Sequence, residues 1–580
     1  MNLSRREFLE LLAAGAAGIG LCACNSNTPS IATASAANLY DVPTFGNLTL
    51  LHFTDCHAQL RPIYYREPSA NIGAGAARNK PPHLVGEALL GRFRLAPGSI
   101  EAHAFTHLNF EDAARQYGKV GGFAQLTTLV KNLRLSRPGR TLLLDGGDTW
   151  QGSATALWTQ GQDMIDACKL LGVDVMTGHW EFTYGEARVR QAIETELRGK
   201  IDFVAQNVFD TKFGEELVFA PYVMREINAV PVAIIGQAYP YTPIANNRYA
   251  FPDWSFGIHE EALQKLVQEV RAKGAQVVVL LSHNGTDVDL KLAARVSGID
   301  VILGGHTHDA MPAPSLVKNN GGKTLIVHSG SHTKFLSVLD FEIKHGRVHD
   351  FRYRLLPIFA NLIAPDREMA AHIDKVRAPY KKKLEEKLAV TESLLYRRGN
   401  FNGGFDEVIL QALLATQDAQ IAFSPGFRWG PTLLPGETIT MEHVFDQTAI
   451  TYPGVALNTL TGEQIKNFLE EIADNLFHPD PYYQQGGDMV RVAGLRYRLD
   501  ISQPIGGRIQ NLEFNNEPLD TSKTYKVASW ANNQPQAEGA KPIWDVVAKF
   551  LRSKKTIQIN DVYTPELKGA EGDAGFTTMR

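Results

Sequence analysis

The sequence contains little cysteine and little net charge, and it has no long apolar segment beyond its N-terminal region. Four of 580 residues are cysteine, too few for a framework held together by disulfides. Lys and Arg number 58 against 62 Asp and Glu, a net charge of −4, so no overall positive field favours nucleic acid or anionic lipid. Without a second long apolar run we expect no transmembrane segment. Nucleic-acid-binding and membrane-spanning proteins are therefore not expected.

The rest of the composition is that of an ordinary globular protein with more than one domain. Hydrophobic residues make up 44% and charged residues 21% of the chain, which favours a packed core over disorder. At roughly 100–200 residues per domain, the length predicts two or three domains. Against the four cysteines stand 17 histidines.

The first 36 residues have the pattern of an export signal. The pair Arg5-Arg6 precedes a short apolar stretch over 11–24, and small polar residues follow. This order is typical of a cleaved signal rather than a membrane helix, and the paired arginines resemble a twin-arginine signal. We expect cleavage near Ala34-Ser35-Ala36 and a periplasmic protein. Leu21-Cys22-Ala23-Cys24 also resembles a lipoprotein box with a lipid anchor at Cys24, and the pattern does not decide between the two.

Short apolar runs alternate with helical patterns along the next 270 or so residues, as in chains with sheets covered by helices. The runs lie at 48–53, 141–144, 173–176, 277–281 and 301–303. Helical patterns at 261–273 and 290–296 complete the prediction of an α/β architecture. The Gly/Pro/Asn-rich stretch 62–119 predicts a long insertion after the first strand. The charged pattern at 364–391 predicts a helix that links two domains.

A candidate metal ligand follows every one of these apolar runs. The carboxyl ends of strands in α/β sheets form the ligand-binding edge, so we expect these side chains to meet there. One histidine at a strand end is usually a structural hydrogen-bonding group, but five strand ends with such residues are hard to explain that way. The candidates are Asp55, His57, Asp148, His179, His283, His306 and His308.

These residue types suit a pair of metal ions. Imidazole and carboxylate without thiolate are typical of manganese, zinc or iron sites. Seven ligands that share one carboxylate are enough for two ions about 3.5–4 Å apart, which lower the pKa of a bridging water and stabilise an in-line displacement. The pattern predicts a hydrolase that acts on tetrahedral phosphorus or sulfur. Cys56 lies between two candidates but should point away from the metals, so we interpret it as a packing residue.

At these residues the sequence resembles the 5′-nucleotidase branch of the calcineurin-like metallophosphoesterases. The blocks D-x-H, G-D-x-x-x-G, G-N-H-E, G-H-x-x and G-H-x-H occur in that order, the third in altered form, and the likeness continues at 436–440, 460–465 and 492–497. It implies a four-layer α/β sandwich, two sheets flanked by helices, at 45–360. A linker helix at 364–391 and an α+β substrate domain at 392–580 would follow.

The resemblance also implies how the ligands divide between two metals. One metal would be held by Asp55, His57, Asp148 and His308. The other would be held by the bridging Asp148 with His179, His283 and His306.

The third block departs from the family pattern. Where the family has G-N-H-E, this chain has Gly178-His179-Trp180-Glu181. His179 can still coordinate a metal in place of the asparagine, but Trp180 cannot transfer a proton as the family's catalytic histidine does. Expulsion of an alkoxide from a phosphate ester benefits from an acid, whereas a sulfur leaving group of low pKa does not need one.

The residues around Trp180, the long insertion and the signal together resemble the thiosulfohydrolases of the bacterial Sox system of thiosulfate oxidation. That resemblance implies an enzyme with two manganese ions that hydrolytically releases sulfate from a cysteine S-thiosulfonate on the carrier protein SoxYZ. Zinc and iron stay open, because the same ligands accept them. Asp148, His179, Trp180 and Arg428 are the candidate catalytic residues.

Arg428 occupies the place of a family arginine and is a candidate for anion binding. Asn207, in a family-like Gln206-Asn207-Val208, and Tyr482 are the other candidate substrate contacts. Two alternatives stay open: an exported 5′-nucleotidase or nucleotide-sugar hydrolase, and a metal-binding or carrier-interaction protein without activity. Trp180 speaks against the first, and the complete ligand set speaks against the second.

Overall fold

A computed structural model of the chain describes residues 39–576 except 213, 215, 247–249 and 532–539. The expected export signal at 1–36 and the expected lipid anchor at Cys24 lie outside these residues. No helix in the described part of the chain is both long enough and apolar enough to cross a membrane.

The first large sheet of the N-terminal domain is built around the strand Leu48–Phe53. This strand pairs in parallel with Thr141–Asp145 and antiparallel with Phe335–Lys344. The spatial order of the sheet is Arg347–Pro357, Phe335–Lys344, Leu48–Phe53, Thr141–Asp145, Val175–Met176 and Asp202–Phe203.

The second large sheet has a parallel centre with an antiparallel strand at each edge. Its spatial order is Ser315–Asn319, Gly322–His328, Val301–Gly304, Val277–Ser282, Val230–Gln237 and Tyr222–Ile227.

The two sheets pack face to face. Successive side chains of a strand point to opposite faces of its sheet, so every second side chain faces the other sheet. Leu48 and Leu50 belong to one buried cluster with Val277 and Val279 of the second sheet. The alternate residues of the first sheet, such as Leu51, pack under helices instead. Burial of each aliphatic side chain contributes about 1.5–3 kcal/mol to the free energy of folding, so both faces of each sheet contribute to stability.

Helices cover the outer faces of both sheets. Phe123–Ser136, Gln162–Leu171 and Arg367–Arg377 lie on the first sheet, and Glu260–Ala272 and Thr286–Arg295 lie on the second. The predicted four-layer sandwich is therefore confirmed.

The remaining N-terminal elements are short. The stretch 62–119 is an insertion between the first two strands, as expected, and it contains the helices Gly86–Phe93, Ile100–Phe105 and Phe110–Tyr117. Further helices are Ala154–Thr159, Glu186–Gln191 and Thr242–Ala245. A small sheet joins Glu216–Leu217, Val208–Asp210 and Trp254–Phe256.

The C-terminal domain mixes helices with small sheets, as the α+β prediction requires. One sheet has the order Val455–Thr461, Thr524–Trp530, Ile421–Ser424 and Arg491–Ala493, and another Glu517–Pro518, Ile509–Phe514, Leu495–Asp500 and Glu566–Lys568. A third joins Thr438–Thr440, Lys387–Thr391 and Thr556–Ile557. The helices are Gly404–Thr416, Met441–Thr448, Gly462–Phe477 and Ile543–Lys554.

The expectation of one linker helix over 364–391 is wrong. Helix Arg367–Arg377 packs on the N-terminal domain, and after a short turn of helix at Lys381–Leu384 the chain forms the strand Lys387–Thr391 of the C-terminal domain. Pro379 follows the first helix and lacks the N–H that a continuous helix needs. The β-branched residues Val390 and Thr391 favour the strand.

Candidate dinuclear metal centre

The candidate ligands from all five strand ends meet at one edge of the sandwich. Side-chain ligand atoms of Asp55, His57, Asp148 and His308 all lie within 4.8 Å of one another, and so do those of Asp148, His179, His283 and His306. Both groups are buried and share Asp148. The structure thus brings together the whole set of seven residues from the sequence, in the same two groups.

The distances around Asp148 are those of ligand atoms that face a common centre. Its Oδ2 lies 3.1 Å from His283 Nε2 and 3.6 Å from His57 Nε2, and its Oδ1 lies 3.2 Å from His179 Nδ1. His308 Nε2 lies 3.1 Å from His57 Nε2 and 3.3 Å from Asp55 Oδ1.

The backbone at these residues is in a conformation that side chains rarely adopt. Asp55, His57, Asp148, His306 and His308 have φ of 52°, 45°, 59°, 76° and 60°. Left-handed residues other than glycine cost of order 1–3 kcal/mol each and persist where the surroundings hold them. Gly305 is required beside them, because a Cβ there would come within 2.5 Å of the Thr54 hydroxyl and 2.9 Å of His283 Nδ1.

A second set of groups fixes the orientation of the ligands. The Gly146 carbonyl accepts from His283 Nδ1 at 2.6 Å, which leaves Nε2 free to face Asp148. The Glu181 carboxylate accepts the N–H groups of Thr149 at 2.6 Å and His179 at 2.7 Å. These hydrogen bonds fix the site before a metal ion or a substrate binds.

The electrostatics of the cluster favour coordination. Burial opposes ionisation of Asp148, but the imidazoles of His179, His283 and His57 hold its pKa well below the usual range. Burial lowers the pKa of His306 and of His308 well below the usual range, so both rings are neutral and keep a lone pair. Burial, with Asp148 nearby, raises the pKa of Asp55 to about 7, and a cation between the two carboxylates would favour the ionised form.

The donor set fits a pair of metal ions. His283 Nε2, which faces Asp148, is buried and has no hydrogen-bond partner among the described residues, an arrangement that costs free energy unless a cation is bound. Two carboxylates and five imidazoles suit manganese, zinc or iron and do not distinguish them. The structure therefore contains two buried Asp/His clusters that could bind a dinuclear metal centre.

A cavity of about 550 Å³ opens onto these clusters, between the two domains. Candidate ligands form one part of its lining, and the walls are rich in aromatic side chains from the C-terminal domain. Ile244 and Phe468, which are 51% and 40% exposed, lie where the cavity meets the surface. A site of this size with few polar groups suits an apolar or extended ligand with one polar end.

Trp180 lines the cavity beside the two clusters of candidate ligands. Its backbone N–H donates to Asp148 Oδ1 at 2.9 Å, and its indole, 6% exposed, contacts Trp429 and Phe427 edge-on with ring centroids 5.3 and 5.8 Å apart. It is thus both a cavity wall and a packing residue at the domain boundary.

Arg428 also lines the cavity, but its donors are held by the protein itself. Its Nη1 donates to the His306 carbonyl at 2.8 Å, its Nη2 donates to the Gly487 carbonyl at 2.6 Å, and its Nε lies 3.2 Å from the Asp488 carboxylate. The guanidinium is therefore fixed next to a candidate ligand.

Asn207 and Tyr482 are elsewhere. The Asn207 amide donates to the Ala238 and Gly257 carbonyls, each at 2.8 Å, and so fixes the backbone before Tyr239. The Tyr482 hydroxyl donates to Glu260 at 2.7 Å, and its ring lies under Lys291. Neither side chain faces the cavity, so the expectation that they contact substrate is not supported by their positions.

Sequence reasoning missed several residues of the site. Tyr239 stacks on His306 with centroids 4.3 Å apart, and its position just after the strand Val230–Gln237 is a signal that could have found it. Arg398, which donates to the Thr307 carbonyl of the ligand loop, carries no recognisable local pattern. Cys56 is a buried free thiol in the core, as expected for a packing residue, and Cys168 is a second buried free thiol there.

Two family models match the chain. The calcineurin-like phosphoesterase model matches residues 48–310, and the 5′-nucleotidase C-terminal domain model matches residues 391–543. All seven candidate ligands lie within the first match.

Relatives of known structure or function span most of the chain. The chain is 36% identical to the sulfate thiohydrolase SoxB of Thermus thermophilus, over 91% of this chain and 98% of that one, with a TM-score of 0.86. A 5′-nucleotidase precursor from Thermus thermophilus shares the fold, with a TM-score of 0.70 at 22% identity over 90% of this chain and 99% of that one. The 5′-nucleotidase of Bos taurus is 25% identical over 496 residues, 77% of this chain and 83% of that protein.

Proposed function

The chain belongs to the calcineurin-like phosphoesterases, in the branch with a 5′-nucleotidase C-terminal domain, and we propose that it is a dinuclear-metal hydrolase that releases sulfate from a cysteine S-thiosulfonate on a sulfur carrier protein. The relative at 36% identity is itself named a sulfate thiohydrolase. We place the catalytic domain at 45–360 and the substrate domain at 392–580.

The observation that carries this proposal is Trp180, which stands where the family has a proton-transferring histidine. Outside the seven candidate ligands, the acids among the described residues that line the cavity are Tyr239, Tyr452 and Asp488. Burial raises the pKa of both tyrosines. Asp488 is buried, but Arg491, Arg428 and Arg398 hold its pKa below the usual range, so it is a carboxylate. None of the three suits protonation of an alkoxide at neutral pH.

A thiosulfonate needs no such acid. Water oxygen bonds to the terminal sulfonate sulfur, and the bond from that sulfur to the inner sulfur breaks with its electron pair on the inner sulfur. The products are sulfate and a cysteine persulfide anion on the carrier, with two protons released to solvent. Because the leaving group is a persulfide of low basicity, the reaction tolerates the replacement of the histidine by Trp180.

The residues of the chain prepare the site for this step. Two metal ions, when bound, supply Lewis acidity and a water of lowered pKa. We assign one ion to Asp55, His57, Asp148 and His308, and the other to Asp148, His179, His283 and His306. Glu181 and the Gly146 carbonyl hold these ligands in place, and the apolar ring of Trp180 keeps bulk water from the leaving group.

The cavity suits a cysteine carried on an extended peptide. Its walls are largely apolar and aromatic, and Tyr239, Trp180 and Trp429 contact imidazoles of the clusters, so a neutral arm can enter while the charged sulfonate end reaches the ligands. We propose the carrier to be SoxYZ, the metals to be manganese, and the compartment to be the periplasm, reached by a twin-arginine signal. Arg428, fixed beside His306, would add local positive charge for the sulfonate.

A nucleotidase function is the second candidate, favoured by relatives such as the bovine 5′-nucleotidase. It requires two aromatic side chains that hold a base between them. Phe427 and Trp429 are stacked directly on each other with centroids 4.1 Å apart. To hold a base between them, the two rings would need a separation of about two carbon–carbon contact distances, each ~3.5–4.0 Å. The pair would have to separate before it could bind a nucleotide.

Product analysis separates these functions. The manganese-loaded protein is incubated with a carrier bearing cysteine S-thiosulfonate and, separately, with AMP, and released sulfate and phosphate are measured. We expect sulfate from the carrier and little phosphate. Rapid phosphate release without sulfate would refute the proposal, and neither product would favour an inactive metal-binding or carrier-interaction protein.

A further inference from the structure

The loop Gly305–Asp309 carries two of the proposed ligands, His306 and His308, both in left-handed backbone conformation. Its carbonyl oxygens can be followed one by one. The Gly305 carbonyl accepts from the Thr307 N–H at 3.0 Å, and the Asp309 carbonyl accepts from the Gly330 N–H at 2.8 Å. The two ends of the loop are therefore satisfied within the N-terminal domain.

The three carbonyls in the middle of the loop are bonded by the other domain. The Arg428 guanidinium donates to the His306 carbonyl at 2.8 Å. The Arg398 guanidinium donates to the Thr307 carbonyl at 2.7 Å and to the His308 carbonyl at 3.3 Å. Both arginines are part of the C-terminal domain, so the loop is held between the two domains.

Further contacts from the C-terminal domain reach the ligands His306 and His57 and the neighbouring His332. His306 Nε2 lies 3.2 Å from the Gln485 carbonyl, which selects the other ring nitrogen for coordination. His332 Nε2 accepts the Gly430 N–H at 3.2 Å, and Trp429 stacks on His57 with centroids 5.2 Å apart. The C-terminal domain thus contacts ligands of both proposed metals.

We infer that Arg398 and Arg428 are positioning residues that clamp the ligand loop, so that docking of the C-terminal domain controls metal retention. A charged, forked donor can satisfy two carbonyls at once and hold a strained turn more firmly than a neutral group. Arg428 holds the loop at His306, a ligand of one proposed metal, and Arg398 holds it at His308, a ligand of the other. The inference rests on the proposed ligand roles and does not depend on which substrate is cleaved.

The test compares lysine variants of three arginines in the full-length protein, of which Arg397 and Arg398 are buried and Arg428 is partly buried. Arg398→Lys and Arg428→Lys keep the charge but lose the fork. Arg397→Lys is the matched control, because Arg397 is 1% exposed, adjacent in sequence, and bonded to the Gln447 and Pro425 carbonyls of its own domain. Bound manganese is measured by elemental analysis after gel filtration and by competition with a chelator, and folding by circular dichroism and thermal unfolding.

We expect each clamp variant to bind one manganese ion about 10–100-fold more weakly, with the second ion less affected, and the double variant to lose both. Arg397→Lys should retain both ions even where it lowers the unfolding temperature. Folded Arg398→Lys and Arg428→Lys proteins with wild-type manganese affinity would overturn the inference, and so would an equal loss in Arg397→Lys. A wild-type protein that binds two ions but cleaves AMP would refute the proposed function and leave the clamp standing. A wild-type protein that binds none would refute both.

Discussion

Replacement of Trp180 by histidine should convert the chain into a phosphatase. The backbone N–H of Trp180 is anchored to Asp148 Oδ1 at 2.9 Å, so an imidazole on this residue would stand beside the shared carboxylate and face the cavity. A positioned acid or base contributes about 10²–10⁴-fold to a rate, equivalent to about 3–5 kcal/mol of barrier. We therefore expect Trp180→His to raise hydrolysis of AMP or a simple phosphate monoester by about that factor.

The control is Trp180→Phe, which keeps an aromatic ring against Phe427 and Trp429 but cannot transfer a proton. Both variants remove buried surface, and complete loss of a buried Trp side chain costs about 3–5 kcal/mol, so rates are compared below the unfolding transition of each protein. Phosphate release is followed across a range of substrate concentrations with manganese content held equal. Equal phosphatase rates in Trp180→His and Trp180→Phe would refute the leaving-group argument.

Two further predictions concern single carboxylate and histidine side chains. Asp148→Asn should lose both manganese ions, because the shared carboxylate belongs to both clusters, while Asp163→Asn, an equally buried carboxylate outside them, should keep both by elemental analysis. Burial alone would lower the pKa of His83, but its ion pair with Asp287 at 2.7 Å raises it to about 9. With an unfolded pKa of about 6.5, the pair should contribute about 3 kcal/mol at most below pH ~6.5 and lose this contribution as the pH rises through about 9. The difference in unfolding temperature between wild type and His83→Gln should thus shrink from about pH 6 to about pH 10, and a constant difference would contradict it.

The part of the fold that the sequence predicts is the part encoded locally. The five apolar runs are strands because their all-apolar pattern fits a sheet buried on both faces, and the structure extends or shortens them by at most two residues at an end. The prediction of a single linker helix was wrong because the charged helical pattern continues past Pro379 into a segment that forms a strand. The β-branched residues of that segment pair with strands that are distant in sequence.

The candidate site divides in the same way. The seven proposed ligands could be found because each lies just after a strand, and the carboxyl ends of these strands, from both large sheets, meet at one edge of the sandwich. Tyr239 also follows a strand and could have been found in the same way, whereas the role of Arg398 depends on the docking of loops that are far apart in the chain. The aromatic ring of Tyr482 makes it a candidate substrate contact in the sequence, but residues Gln485–Asp488 of the same loop line the cavity instead.

The most direct test of the central proposal is mass spectrometry of both products in water labelled with heavy oxygen. The carrier bearing cysteine S-thiosulfonate is incubated with the manganese-loaded protein, and the intact carrier and the released sulfate are weighed. The proposed reaction predicts a carrier lighter by one SO₃ group, with its persulfide retained, and sulfate that contains one labelled oxygen. An unchanged carrier mass, or loss of the persulfide sulfur together with the sulfonate, would contradict it.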